Sequence, residues 1–111
     1  MSLTIVRPDG REYPLDFWEV ITRHFSRLGE HVEWRGNKIN RQFVPIALMV
    51  QVHSNENPDS VAETTFFAVV KITDTETCTV ARLRAEAGGS QQARQVADRA
   101  ASMSCLSPLD N

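Results

Sequence analysis

The chain holds no apolar run long enough to cross a bilayer. Its longest nearly unbroken stretch, Val44 to Val50, falls far short of the roughly 20 residues a spanning helix needs. The opening residues Met1-Ser2-Leu3-Thr4-Ile5-Val6-Arg7 contain no apolar segment of signal-peptide length. Cysteine is scarce: Cys78 and Cys105 lie far apart and make neither a CxxC pair nor a zinc-ligand spacing. Two free, partly buried thiols in a reducing compartment are the expectation. A soluble, unexported, cytoplasmic protein follows from these absences.

Charge of one sign is also lacking. The formal net charge of −2 gives no electrostatic reason to expect nucleic acid or an anionic membrane. Ten of the twelve basic residues are Arg, which fits either Arg-based contacts or a GC-rich genome. Signature motifs are missing as well. There is no P-loop, GxGxxG, GxSxG or HExxH. With only three histidines, His24, His31 and His53, and no ligand spacing among them, no metal and no cofactor are expected.

What the chain does contain is alternation. Arg41 to His53 and Val61 to Thr73 both alternate as strands around the polar segment Asn55-Glu56-Asn57-Pro58-Asp59. Each arm is long for a globular strand, so this hairpin should organise the fold. On the first arm Val44, Ile46, Leu48, Val50 and Val52 share one aliphatic face. Phe43, Pro45, Ala47, Met49, Gln51 and His53 share the other. Pro45 lacks an amide donor and predicts an edge position or a bulge. The second arm sets Ala62, Thr64, Phe66, Ala68, Val70 and Ile72 against Val61, Glu63, Thr65, Phe67, Val69 and Lys71. A sheet with one solvated face needs no large apolar residues on both sides, so something must cover the second face: the N-terminal hairpin, the C-terminal helix or another subunit.

Flanking elements follow from punctuation. Leu3 to Val6 and Arg11 to Tyr13 form a small hairpin across the turn Arg7-Pro8-Asp9-Gly10. Asp16 with Glu19 makes a capping box, Leu15 with Val20 a hydrophobic staple, and Gly29 a stop, which together predict an amphipathic helix over Phe17 to Leu28. His31 to Arg35 alternates, and Gly36-Asn37 fits a two-residue hairpin turn. Thr73-Asp74-Thr75-Glu76 is a turn into a strand from Thr77 to Leu83. Gly88-Gly89 breaks it, and Ser90 caps a last helix from Gln91 to about Ser104, with Ala93, Val96, Ala97, Ala100, Ala101 and Met103 on its apolar face.

The fold class is therefore α+β in two layers: an antiparallel meander packed by a helix in the N-terminal half and an Ala-rich C-terminal helix. Residues 1–106 form one domain and 107–111 a tail. This order of elements resembles cystatin-like and secretion-chaperone-like folds, a likeness of architecture that carries no functional residues across.

The constellations that bear chemistry are weak. His24 sits among apolar helix positions, Glu30 and Glu33 flank His31, and Glu63 lies on an apolar strand face, where burial would raise its pKa. Gly88-Gly89-Ser90 would offer free amides to an anion, but no Lys or Thr completes a phosphate site. The leading expectation is a small non-enzymatic cytoplasmic interaction protein: an adaptor, regulator or chaperone-like factor that binds a protein partner, or itself as a homodimer. Phe43, Met49, Phe67 and Val69 would supply the contacts and Arg41 and Lys71 the rim. On that reading Phe67→Asp disrupts assembly and leaves helix content intact. The alternative is a nucleic-acid module using Trp34, Arg35, Lys38, Arg41, Arg82 and Arg84. A third reading is a small-molecule or enzymatic cup near Trp18, His24 and His53.

Overall fold

The computed structural model describes residues 2–16, 21, 25–55, 64–86 and 89–107. Strands β1 (Ser2–Val6) and β2 (Glu12–Asp16) form the expected small antiparallel hairpin. Gly10 sits at φ +88° in its turn, a conformation that glycine adopts without steric cost. Four strands, β3 (Phe25–Ile39), β4 (Gln42–Asn55), β5 (Thr64–Ile72) and β6 (Thr77–Arg84), make an antiparallel meander in sequence order. Helix α1 (Gly89–Ala97) and a 3-10 turn (Ala100–Ser102) follow. The described residues are thus mostly antiparallel sheet, with one helix.

Both faces of the sheet are covered over β4 and β5. Leu48, Val50, Val52, Phe66, Ala68, Val70 and Ile72 pack with Ile5 and Leu15 of the N-terminal hairpin and with Ile21. On the opposite face, Ala47, Met49, Phe67, Val69 and Val80 pack against Ala93, Ala97 and Ala100. The spacing of those three alanines puts one methyl after another along a single helical stripe, so α1 and the turn lie close to the sheet. Of the covers open to the second face, it is the chain's own C-terminal helix that closes it.

Several expectations are corrected. Phe25 to Leu28 are not the end of a helix; they pair with Asn55 to Val52 as the start of β3. Phe17 to Val20 and Thr22 to His24, the rest of that expected helix, lie outside the described residues. Asp16, the expected cap, is the last residue of β2, opposite Ser2. A strand as long as β4 needs a partner along its whole length, and that non-local pairing overrides a local helical pattern. The C-terminal helix ends at Ala97, short of Ser104.

The tight turn of the β3–β4 hairpin is also not Gly36-Asn37. It is Asn40-Arg41, with φ of 52° and 67°, between the paired residues Ile39 and Gln42. Positive φ at both central residues is the signature of the type I′ turn, whose twist matches that of the strands. Asn tolerates this conformation; Arg does so at a cost of roughly 1 kcal/mol. Arg41→Gly is expected to stabilise the fold by about that amount, read as a higher urea midpoint at unchanged slope. An unchanged or lower midpoint would show that Arg41 is not strained.

Gly36 instead serves an irregularity. Arg35 pairs with Ala47 but Gly36 pairs with Pro45, which leaves Ile46 as an extra residue in β4. A Cβ at Gly36 would overlap the Val44 carbonyl oxygen and stand 2.8 Å from Pro45 Cα. The bulge expected at Pro45 is therefore present, beyond the point where β5 stops pairing with β4 at Ala47.

The two cysteines are not free. Cys78 and Cys105 form a disulfide with a Cα–Cα distance of 5.7 Å. It holds the C-terminal segment to β6. The same segment donates the Leu106 amide to the Thr79 carbonyl (2.8 Å) and accepts the Lys71 ammonium at the Met103 carbonyl (2.7 Å). The cytoplasmic location drew on free thiols and loses that support, since such bonds persist in oxidising compartments. Among the described residues no helix is long and apolar enough to cross a membrane.

Candidate functional site

The structure sorts the expected contact residues into two groups. Met49, Phe67 and Val69 are buried beneath α1 and belong to the core of the chain. Lys71 is buried too. Its ammonium lies 2.6 Å from Glu76 Oε1 and donates to the Met103 carbonyl, so it ties the β5–β6 turn to the C-terminal segment and is no rim residue. Phe43 and Arg41 remain exposed, at the turn end of the β3–β4 hairpin. An alternating strand identifies which residues share a face. It does not reveal which chain segment covers them.

Among the described residues, the large apolar side chains that stay exposed are Val6, Val32, Trp34, Ile39, Phe43 and Val44. All but Val6 lie on the β3–β4 hairpin. Strand lengths explain the concentration. β4 continues beyond Ala47 toward Gln42, where β5 no longer accompanies it, so residues 42–46 and their β3 partners have no third strand beside them. Trp34 lies opposite Leu48, and Val32 opposite Val50. Leu48 and Val50 are shielded, whereas Trp34 is 48% exposed and Val32 45%. The apolar face thus runs uninterrupted from the core out to β3, where its cover ends.

Two clefts mark this boundary. One, of about 270 Å³, is lined by Leu3, Thr4, Val6, Val32, Trp34 and Leu48 among others. The second, of about 470 Å³, shares Ile5, Val6 and Trp34 with it and extends past Val44, Pro45 and Ile46 to Arg7 and Asp74. Arg7 is held here by hydrogen bonds from its Nη2 to the Thr73 carbonyl and to Thr77 Oγ1, and it stacks over the Tyr13 ring at 5.0 Å. Its buried Nε has no hydrogen-bond partner among the described residues.

The opposite face of β3 is polar and tied to α1. Arg94 grips Glu33 through Nε and Nη2, at 2.8 and 2.9 Å. Arg35 grips Asp98 through Nε and Nη2, at 3.2 and 3.0 Å. The hydrogen bonds from Arg94 hold the Glu33 carboxyl below its usual range, and the bond to Asp98 raises the Arg35 guanidinium. Exposed pairs of this kind contribute little to stability, but their two-pronged geometry orients α1 along β3.

The residues of the nucleic-acid alternative are not brought together. Trp34, Arg35, Lys38 and Arg41 lie on the β3–β4 hairpin, while Arg82 and Arg84 lie on β6, at the other edge of the sheet. Arg82 donates to the Ile21 carbonyl at 2.7 Å, and both Arg82 and Arg84 sit over the Phe66 ring. The cup expected near Trp18, His24 and His53 is represented only by His53, whose Nδ1 meets Thr65 Oγ1 at 2.8 Å. Trp18, His24 and Glu63 lie outside the described residues. At the strand-to-helix joint, where the sequence completes no phosphate site, the Gly89 amide is taken by the Glu86 carbonyl, 2.7 Å away.

The sequence missed Val6, Val32, Ile39 and Val44 as exposed positions. Their apolar character signalled burial; Ile39 and Val44 lie where β5 no longer accompanies β4, and Val32 lies on the edge strand β3. No family model, no curated protein and no solved structure matches the chain.

Proposed function

We propose that the protein is a small interaction module that binds a protein partner through the outer part of its β3–β4 hairpin. The observation that carries this reading is the concentration of exposed apolar side chains on the outer hairpin, by register Val32, Trp34 and Phe43 on one face and Ile39 and Val44 on the other. Single exposed hydrophobes are ordinary on soluble proteins, whereas a cluster beside a cleft marks a contact surface. Trp34 and Phe43 have the large, stiff rings that anchor interfaces. The surface is an adaptor's or regulator's, without catalytic groups in the reading. A cytoplasmic setting would require the chain to work with Cys78 and Cys105 reduced, so the disulfide fits an oxidising setting better.

The test is site-specific photocrosslinking in the source cells. A benzophenone amino acid at Phe43 is expected to give discrete protein adducts, while the same probe at exposed Gln92 on α1 gives none. Equal labelling from both positions, or none from Phe43, would remove the reading.

A further inference from the structure

We infer that the open edge of β3 pairs antiparallel with the same edge of a second copy of this chain, about a twofold axis at Trp34. This deepens the interaction reading by naming the partner, and it rests on that reading.

The two edges of the sheet are treated differently. On β6 the C-terminal segment crosses the edge, bonding the Leu106 amide to the Thr79 carbonyl and closing the Cys78–Cys105 disulfide. On β3 no strand pairs with the outer side among the described residues. Unpaired edges template association unless they are short, bulged outward or covered. β3 is long; it carries extra residues between Leu28 and Val32, but its stretch from Val32 to Ile39 carries none, because the irregularity there places its extra residue, Ile46, in β4.

Register follows from parity and charge. Around a twofold axis normal to the sheet, residues that face each other share a side of the sheet. The axis must therefore pass through a residue, not between two. An axis at Glu33 would oppose two glutamates, and one at Arg35 two arginines. An axis at Gly36 or beyond brings no opposite charges together within β3, and one at Val32 or before centres the pairing at the irregular stretch between Leu28 and Val32. At Trp34 each Glu33 meets Arg35 of the second copy, twice over. Within each copy these two side chains are partly exposed and already held, Glu33 by Arg94 and Arg35 by Asp98, with Arg35 Nη1 3.6 Å from Glu33 Oε2, so the pairs across the axis extend an existing line of alternating charges. Trp34 then faces Trp34, and two half-exposed rings close against each other across the axis. The assembled sheet has eight strands, in the order β6-β5-β4-β3-β3-β4-β5-β6.

Cysteine substitution reads this register in the full chain, since the native cysteines are bonded to each other. In the proposed pairing the two residues at position 34 have Cβ atoms about 5 Å apart. Trp34→Cys is expected to form a reducible covalent dimer under mild oxidation. Val32 faces Gly36 of the second copy, which places the two residues at position 32 about 13 Å apart, so Val32→Cys should stay monomeric on the same gel. Sedimentation of the unsubstituted chain should give twice the chain mass, and Trp34→Glu, at a surface site that tolerates charge, should weaken association at least tenfold with unchanged circular dichroism. Covalent dimers from Val32→Cys but not Trp34→Cys would overturn the register. A monomer at every concentration would overturn self-pairing. If Phe43 crosslinks to a different protein in that case, the interaction reading stands alone; if it crosslinks to nothing, both fall.

Discussion

Phe67→Asp is expected to abolish the folded state. Phe67 is 8% exposed and packs with Met49, Val69, Ala93 and Ala97 where α1 meets the sheet. Removing a buried Phe side chain costs about 3–5 kcal/mol. Leaving an unpaired carboxylate in the same place adds several more. The sum reaches the whole net stability of about 5–15 kcal/mol typical of a domain. The variant should lose near-ultraviolet dichroism and any cooperative urea transition at room temperature. If it kept native helix content and a sharp transition, with only association lost, Phe67 would be a surface contact and the packing of α1 on β5 would be wrong. Phe43→Asp is the paired control. Phe43 is half exposed, so a charge there should leave the urea midpoint within about 0.5 kcal/mol of the parent.

Reduction of Cys78–Cys105 carries the second large effect. The bond closes a loop with a sequence separation of 27 that contains β6, α1 and the 3-10 turn. In the chain-entropy account, a link of that span stabilises the fold by about 3.5 kcal/mol, because it restricts the unfolded chain. For a chain of this size the expected drop in melting temperature is about 10–15 °C. The structural consequence should be local first. The segment from Met103 to Ser107 would still be held to the sheet by the Lys71–Met103 and Leu106–Thr79 hydrogen bonds, without its covalent tie. Amide exchange should therefore quicken at Leu106 and along the β6 edge before the centre of the sheet loosens. Calorimetry with and without reductant, repeated on the Cys78→Ser, Cys105→Ser chain, measures the effect. Identical melting temperatures, or two titratable thiols in the isolated native protein, would count decisively against the bond.

Much of the architecture is written in local patterns. The β1–β2 hairpin is legible because Pro8, Asp9 and Gly10 fix a turn between two alternating runs. β4, β5 and β6 are legible because alternation over many residues admits no helical alternative. The stripe Ala93, Ala97, Ala100 announces a helix that lies close to something. Pro45 forecast its bulge, because a residue without an amide donor must stand where a ladder is interrupted.

What failed were the places where a distant partner outbids a local signal. Phe25 to Leu28 carry a helical pattern, but Asn55 to Val52 offer backbone groups that need pairing. Gly36-Asn37 has the composition of a turn, yet the register that buries Val50 and Leu48 moves the reversal to Asn40-Arg41. Cys78 and Cys105 are far apart in sequence, and only the return of the chain past the 3-10 turn brings their Cα atoms within bonding range.

The candidate site shows the same division. By itself the sequence determined that both sheet faces are apolar, since side chains alternate whatever lies above them. Which face stays open is a question of cover, and cover is a tertiary property. Helix α1 shields Met49, Phe67 and Val69, the N-terminal hairpin shields Leu48 and Val50, and β5 ends before Val44. Trp34 and its neighbours on β3 and β4 are left at the surface because the covering elements are shorter than the hairpin they cover.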